Sequence, residues 1–93
     1  MKNFYCYMLS NKGRTLLYIG FTKNLAERVN QHIQGKGALF TKRYNVNQLI
    51  YFEKFETKKE AKKREKQLKN WHKAWKWNLI KKVNPNLMTI NDY

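Results

Sequence analysis

The sequence has few of the residues on which several classes of small protein depend. Among its 93 residues the single cysteine, Cys6, excludes an intramolecular disulfide and a cysteine zinc cluster. No apolar run approaches the roughly 18–20 residues that span a bilayer, and residues 1–3 do not begin a secretion signal. We therefore expect one cytoplasmic domain over residues 1–93, with residues 86–93 as a tail that can fray.

Acidic residues are also scarce. Six Asp and Glu stand against twenty Lys and Arg, which gives a formal net charge of +14. Eleven of the basic residues lie between Lys58 and Lys82. Charge of one sign repels itself until a polyanion neutralises it, and nucleic acid is the usual polyanion. The composition favours nucleic-acid binding, with a merely solvated helix face as the alternative.

Short apolar runs predict three strands. Residues 4–9 and 15–20 are joined by the turn-forming segment 10–14, a pattern typical of an antiparallel hairpin. Residues 49–55 form the third strand. The first run is continuously apolar and aromatic, so we expect its strand to be buried on both faces.

Apolar residues at helical spacing predict the first helix. It begins near Leu25 after a cap at Thr22 or Asn24, and a stripe of Leu25, Val29 and Ile33 faces the core.

A capping box at Thr57 opens a second helix, and the four-residue spacing of Trp71, Trp75 and Leu79 continues a helical stripe beyond it. Residues 38–47 are interpreted mostly as loop. The predicted fold class is α+β, a small three-stranded antiparallel sheet flanked by helices in the order β-β-α-β-α-α.

Glu65 is a polar residue where an apolar one is expected. It follows Ala61 by four residues and precedes Leu68 by three, so it shares their helical face. An unpaired carboxylate in that place costs several kcal/mol and needs a cation, a metal or strong hydrogen bonds. An ordinary surface ion pair with Lys69 is an equally good interpretation.

Other candidate residues carry weaker signals. Arg28 and His32 share one helix edge, which suits binding a phosphate and moving a proton, although two solvated side chains would have the same spacing. Tyr7 and Tyr18 are first of all strand aromatics, which mostly serve packing. The only aspartate is Asp92, so no convincing Ser-His-Asp arrangement exists.

Several short motifs stand in order along the chain: Tyr5-Cys6-Tyr7, Tyr18-Ile19-Gly20, Arg28 with His32, residues 64–69 and Asn84-Pro85. In this order they resemble the GIY-YIG nuclease domain, especially small stand-alone bacterial members similar to the catalytic subunit of the Slx1-type structure-specific endonucleases. The first motif departs from Gly-Ile-Tyr but keeps the tyrosine that carries the implied chemistry.

The resemblance implies a metal-dependent endonuclease that hydrolyses phosphodiester bonds in branched, flapped or single-stranded DNA. Glu65 would hold one divalent metal ion, Mg²⁺ or Mn²⁺, with water and phosphate oxygens completing its shell. The catalytic residues that the resemblance implies are Tyr7, Tyr18, Arg28, His32, Glu65 and Asn84.

The implied roles differ between these residues. Tyr7 and Tyr18 would face the scissile phosphate, and one of them would accept a proton from the attacking water. Arg28 would bind phosphate, His32 would relay the proton or contact phosphate, and Asn84 resembles the family's late asparagine.

The expected partner is DNA, with RNA as a further possibility and a protein that targets the enzyme as another. We expect no membrane contact, and we expect association with the bacterial nucleoid when DNA is bound. The alternative function is a basic nucleic-acid-binding module with weak or no cleavage. The candidate nucleic-acid-binding residues are Lys12, Arg14, Lys36, Lys42, Arg43, Lys62, Lys69 and Lys73.

Overall fold

The computed structural model describes residues 3–93, and these form one sheet with four helices. The antiparallel sheet has the order β2-β1-β3 and consists of β1 (Phe4–Ser10), β2 (Leu17–Thr22) and β3 (Gln48–Phe55). The helices are α1 (Leu25–Ile33), α2 (Leu39–Tyr44), α3 (Lys58–Lys69) and α4 (Lys73–Val83). Within this described part of the chain no helix has the length and apolarity needed to cross a membrane.

The predicted burial of β1 on both faces is confirmed. β1 is the central strand, and its side chains alternate between two hydrophobic clusters. Cys6 and Met8 belong to the cluster that α3 and α4 cover, whereas Tyr7 and Leu9 belong to the cluster that α1 covers. The alternation places Tyr7 on the same side of the sheet as α1.

The predicted helix starts are also confirmed. Asn24 caps α1, since its side chain accepts a hydrogen bond from the backbone N–H of Glu27 at 3.1 Å. Thr57 caps α3 in the same way through the backbone N–H of Glu60, at 3.2 Å.

Residues 39–44 form α2, so the prediction of loop over 38–47 was wrong there, and the element order becomes β-β-α-α-β-α-α. Two turns without a side-chain cap carry little local signal, and so short a helix depends on tertiary packing. The buried Thr41 and Val46 supply that packing.

The inward face of α1 differs from the predicted stripe. Leu25 and Val29 are buried as expected, but Ile33 is 58% exposed and His32 only 2% exposed. At 3.6 residues per turn, His32 lies about 20° behind Leu25 around the helix axis, whereas Ile33 lies about 80° ahead of it. The core therefore receives the histidine.

Residues 86–93, predicted as a tail that can fray, are attached to the domain as far as Ile90. The Arg14 guanidinium donates a hydrogen bond to the carbonyl oxygen of Leu87 at 2.8 Å. The Ile90 backbone N–H donates to the carbonyl oxygen of Leu49 on β3 at 2.7 Å. The prediction overlooked these partners because they lie far away in the sequence.

Candidate active site

A buried tyrosine–histidine pair lies between β1 and α1. The Tyr7 hydroxyl oxygen is 3.1 Å from His32 Nε2, and neither residue is open to solvent. Gly20 lies opposite Tyr7 on β2, where a Cβ atom would lie 2.5 Å from the Tyr7 hydroxyl oxygen. A Cβ on Gly37 would likewise overlap the His32 ring. These two glycines make the space that the pair occupies.

The direction of the hydrogen bonds follows from Thr41. Its hydroxyl proton is donated to the carbonyl oxygen of Ala38 at 2.8 Å, so toward His32 Nδ1, 2.9 Å away, this oxygen can only accept. His32 is therefore protonated on Nδ1, and its unprotonated Nε2 accepts the hydroxyl proton of Tyr7. Burial, with help from the Arg28 charge, lowers the pKa of His32 and favours this neutral form.

The charges of Arg28 and Glu65 both act on Tyr7. Burial is the main cause that raises the pKa of Tyr7, followed by the charge that an ionised Tyr18 would carry. The Arg28 charge opposes these effects, and the Glu65 carboxylate adds to them. The fold thus brings five of the predicted catalytic residues into one electrostatic neighbourhood.

Tyr18 differs from Tyr7 in its exposure. Its ring centroid lies 5.3 Å from that of His32 and 6.4 Å from that of Tyr7, but the residue is only partly buried. Within residues 3–93 no side chain or backbone group forms a hydrogen bond to its hydroxyl. Water or a substrate oxygen can therefore bond to the Tyr18 hydroxyl.

Glu65 stands at the edge of the site on α3. Its side chain is 18% exposed and lies 3.4 Å from Lys69 Nζ, so the ion pair that the spacing allowed does form. Glu65 lines a shallow groove on α3 together with five lysines: Lys59, Lys62, Lys63, Lys66 and Lys69.

The donor set suits one hard cation with few protein ligands. In the described part of the chain no group of three His, Cys, Asp or Glu side chains comes together as metal ligands. Mg²⁺ is commonly held by one or two carboxylates, with waters and substrate phosphates as its other ligands. A lone, partly exposed Glu65 beside a lysine-lined groove fits that pattern.

Asn84 is engaged elsewhere. Its side-chain N–H groups donate to the carbonyl oxygens of Ile50 at 2.9 Å and Met88 at 2.8 Å, and its Oδ1 accepts from the Met88 backbone N–H. These bonds attach the end of the chain to β3. The catalytic role of Asn84 stays a prediction, and its recorded hydrogen bonds are structural.

Arg14, a predicted nucleic-acid-binding residue, is held by internal hydrogen bonds, and its contact with nucleic acid stays a prediction. Besides Leu87, its guanidinium donates to the carbonyl oxygen of Asn11 at 2.8 Å, to Gln48 Oε1 at 2.7 Å and to Thr89 Oγ1 at 2.9 Å. Such internal hydrogen bonds leave little of its donor capacity for a phosphate. The other candidates for phosphate contact are exposed: Lys12, Lys36, Lys42, Arg43, Lys62, Lys69 and Lys73.

Two parts of the site were absent from the sequence-based prediction. Thr41 lies in the segment interpreted as loop, so nothing linked it to His32. Arg64 was passed over beside Glu65, although its Nε donates to Glu53 Oε1 on β3 at 2.9 Å, while Tyr51 also donates to Glu53. This ion pair attaches α3, the helix that carries Glu65, to the sheet. Tyr51 and Glu53 lie two residues apart and therefore share one face of β3, and this spacing was the signal that the sequence offered.

Comparisons with known proteins agree on one family. The sequence model of the family named GIY-YIG catalytic domain matches residues 3–84 of this chain. A UPF0213 protein of Staphylococcus saprophyticus is 39% identical over 80 residues, covering 86% of this chain and 96% of that protein. A UPF0213 protein of Pediococcus pentosaceus is 40% identical over 90 residues, covering 97% and 94%. The solution NMR structure of the UPF0213 protein BH0048 from Bacillus halodurans has a TM-score of 0.58 and 28% identity, covering 90% of this chain and 88% of that one.

Proposed function

Because this chain belongs to the GIY-YIG family, a nuclease superfamily, we propose that it is an endonuclease that hydrolyses phosphodiester bonds in DNA with the help of a divalent cation. The observation that supports the proposal is that Tyr7 and Tyr18 both contact His32, while the charges of Arg28 and Glu65 both act on Tyr7. Phosphodiester hydrolysis needs a proton acceptor for water, positive charge on the phosphate and stabilisation of the leaving oxygen.

Tyr18 is the better candidate for contact with the attacking water. Its hydroxyl is open to a ligand, whereas the Tyr7 hydroxyl is enclosed and donates its proton to His32. The buried pair then serves as a rigid support, because the His32 ring packs against the Tyr18 ring. In this assignment the Tyr18 oxygen first loses its own hydroxyl proton to solvent and then accepts a proton from the attacking water, while Tyr7 and His32 position it.

Arg28 and Glu65 carry opposite charges and would act on the reacting phosphate in different ways. Arg28 borders a depression that Phe21 and Lys58 also line, and its planar guanidinium can hold two phosphate oxygens at once. Glu65 would hold the divalent cation, Mg²⁺ or Mn²⁺. That cation, when bound, stabilises the charge on the phosphate and on the leaving oxygen. Lys69 would then release Glu65, and its ammonium group would become available to contact phosphate.

The expected substrates are branched, flapped or single-stranded DNA in the cytoplasm. Exposed lysines on α3 and around α2 support binding through phosphates, which carries no sequence information. A domain of this size has little surface for reading base pairs. Selection by DNA structure, or by a protein that targets the domain, is therefore the more economical route to specificity.

Cleavage assays on labelled branched, flapped, single-stranded and duplex DNA test the proposal. We expect cleavage with Mg²⁺ or Mn²⁺ and none with EDTA. Glu65→Gln should fold and bind DNA but lose cation-dependent cleavage, because it removes the ligand charge and keeps the side-chain shape.

The matched control is Glu56→Gln, which removes the same charge from an exposed position just before α3. It should cleave like the wild type. Binding without cleavage under every cation condition would favour the alternative of a nucleic-acid-binding module. Cleavage by Glu65→Gln at the wild-type rate would refute the metal role of Glu65.

A further inference from the structure

The outward face of α2 presents two aromatic rings to solvent. Phe40 is 39% exposed and Tyr44 is 46% exposed, and their ring centroids lie 5.1 Å apart. The four-residue spacing places both rings on one side of the helix. The Arg43 guanidinium carbon lies 5.5 Å from the Tyr44 ring centroid. Exposed aromatic rings combined with a cation have no evident part in the fold.

The inward face of the same helix belongs to the candidate active site. Thr41 is buried and bonded to His32, and the Val46 backbone N–H donates to the Thr41 carbonyl oxygen at 2.9 Å. Because Val46 is itself buried, α2 is anchored at Thr41 and again just beyond its C-terminal end. The rings of Phe40 and Tyr44 are therefore carried by the same helix whose buried Thr41 bonds to His32.

We propose that Phe40 and Tyr44 form a stacking platform for unpaired nucleotides of the substrate strand, next to the phosphate that is cleaved. The proposal rests on the proposed function and narrows its substrate class to nucleic acid with single-stranded character. Every base has a π face, so stacking on aromatic rings binds single strands without sequence preference. In a duplex those faces are already stacked on one another.

Charge identifies the occupant of this surface. Lys42 and Arg43 are exposed on α2 itself, and Lys36 is exposed just before it, so the rings lie among cations. A polyanionic strand is attracted to such a surface. A second copy of this chain, with its own net charge of +14, is repelled from it.

Binding in EDTA tests the platform separately from catalysis. The probes are a short dye-labelled single strand of mixed sequence and the duplex that it forms with its complement, followed by fluorescence anisotropy. We expect Phe40→Ala and Tyr44→Ala each to weaken single-strand binding about 5- to 150-fold, the range found for one stacked base. Duplex affinity should change less than about twofold.

The matched control is Leu39→Ala, which removes an 80% exposed apolar side chain from the same helix but no ring. It should bind both probes like the wild type. The salt dependence adds a second readout, because the ring variants should keep the wild-type slope of log affinity against log salt. Arg43→Ala should make this negative slope less steep by about 0.7 if Arg43 contacts one phosphate of the single strand.

Equal losses on both probes, an equal loss in Leu39→Ala, or no loss in either ring variant would overturn the platform. So would a wild-type dimer that the Phe40→Ala/Tyr44→Ala double variant converts to a monomer, because the occupant would then be a second copy. A protein that binds single strands through these rings but cleaves no DNA would leave the platform intact and refute the nuclease proposal instead.

Discussion

Replacing Thr41 by valine removes one hydroxyl from the interior and nearly preserves the shape of the side chain. The Ala38 carbonyl oxygen still accepts from the Lys42 backbone N–H at 3.2 Å, so the start of α2 loses little. His32 is affected more, because its Nδ1–H loses its acceptor. The ring then either keeps an unpaired Nδ1–H or moves that proton to Nε2, which leaves the Tyr7 hydroxyl without its acceptor.

Each of these two outcomes leaves one buried polar group unsatisfied. We therefore expect Thr41→Val to lower the free energy of unfolding by about 1–3 kcal/mol, measured by urea denaturation. Thr41→Ser is the matched control, since it keeps the hydroxyl and loses only a methyl group. It should cost less, and its His32 should keep the wild-type tautomer in ¹⁵N NMR spectra.

Cleavage adds a readout that follows the hydrogen bonds rather than the fold. If the chain Tyr7–His32–Thr41 supports Tyr18, Thr41→Val should cleave more slowly than Thr41→Ser at equal folded fraction. The reasoning is refuted if the free energy of unfolding of Thr41→Val is within about 0.5 kcal/mol of the wild-type value and His32 keeps its Nδ1–H tautomer. A changed tautomer with unchanged cleavage would refute only the supporting role.

Three further predictions concern residues around this chain of hydrogen bonds. Tyr18→Phe should slow cleavage on the order of 10²–10⁴-fold with little loss of stability, whereas Tyr7→Phe should also lower the free energy of unfolding. A larger loss of cleavage rate in Tyr7→Phe than in Tyr18→Phe would make Tyr7 the proton acceptor. The pKa of His32 in the folded chain is lowered from its ordinary value of 6.5. Below about pH 6.5 the unfolded chain therefore binds a proton at His32 more readily than the folded chain does. The free energy of unfolding should fall as the pH drops below about 6.5, and His32→Gln should lack this component. Arg14→Ala should speed amide exchange at Ile90 and lower stability while leaving the salt dependence of DNA binding unchanged; a smaller salt slope would restore Arg14 as a phosphate contact.

Local patterns were sufficient for most of the fold. The three strands, the caps at Asn24 and Thr57 and the burial of β1 follow from short-range chemistry: turn residues, capping side chains and a continuous apolar run. The ordered motifs around Tyr7 and Glu65 also identified the family, because they can be read without knowing which residues touch.

The tertiary structure decided the features that depend on contacts between distant segments. Residues 39–44 form a helix because Thr41 is buried against His32. No side-chain cap at the start of this helix marks it in the sequence. The turn that contains Arg14 was predicted from the sequence, but two of the hydrogen-bond acceptors of Arg14 lie near the end of the chain and could not be. A charged or polar side chain has the same local signature in solvent and in an internal network. Its role is set by partners that only folding brings within reach.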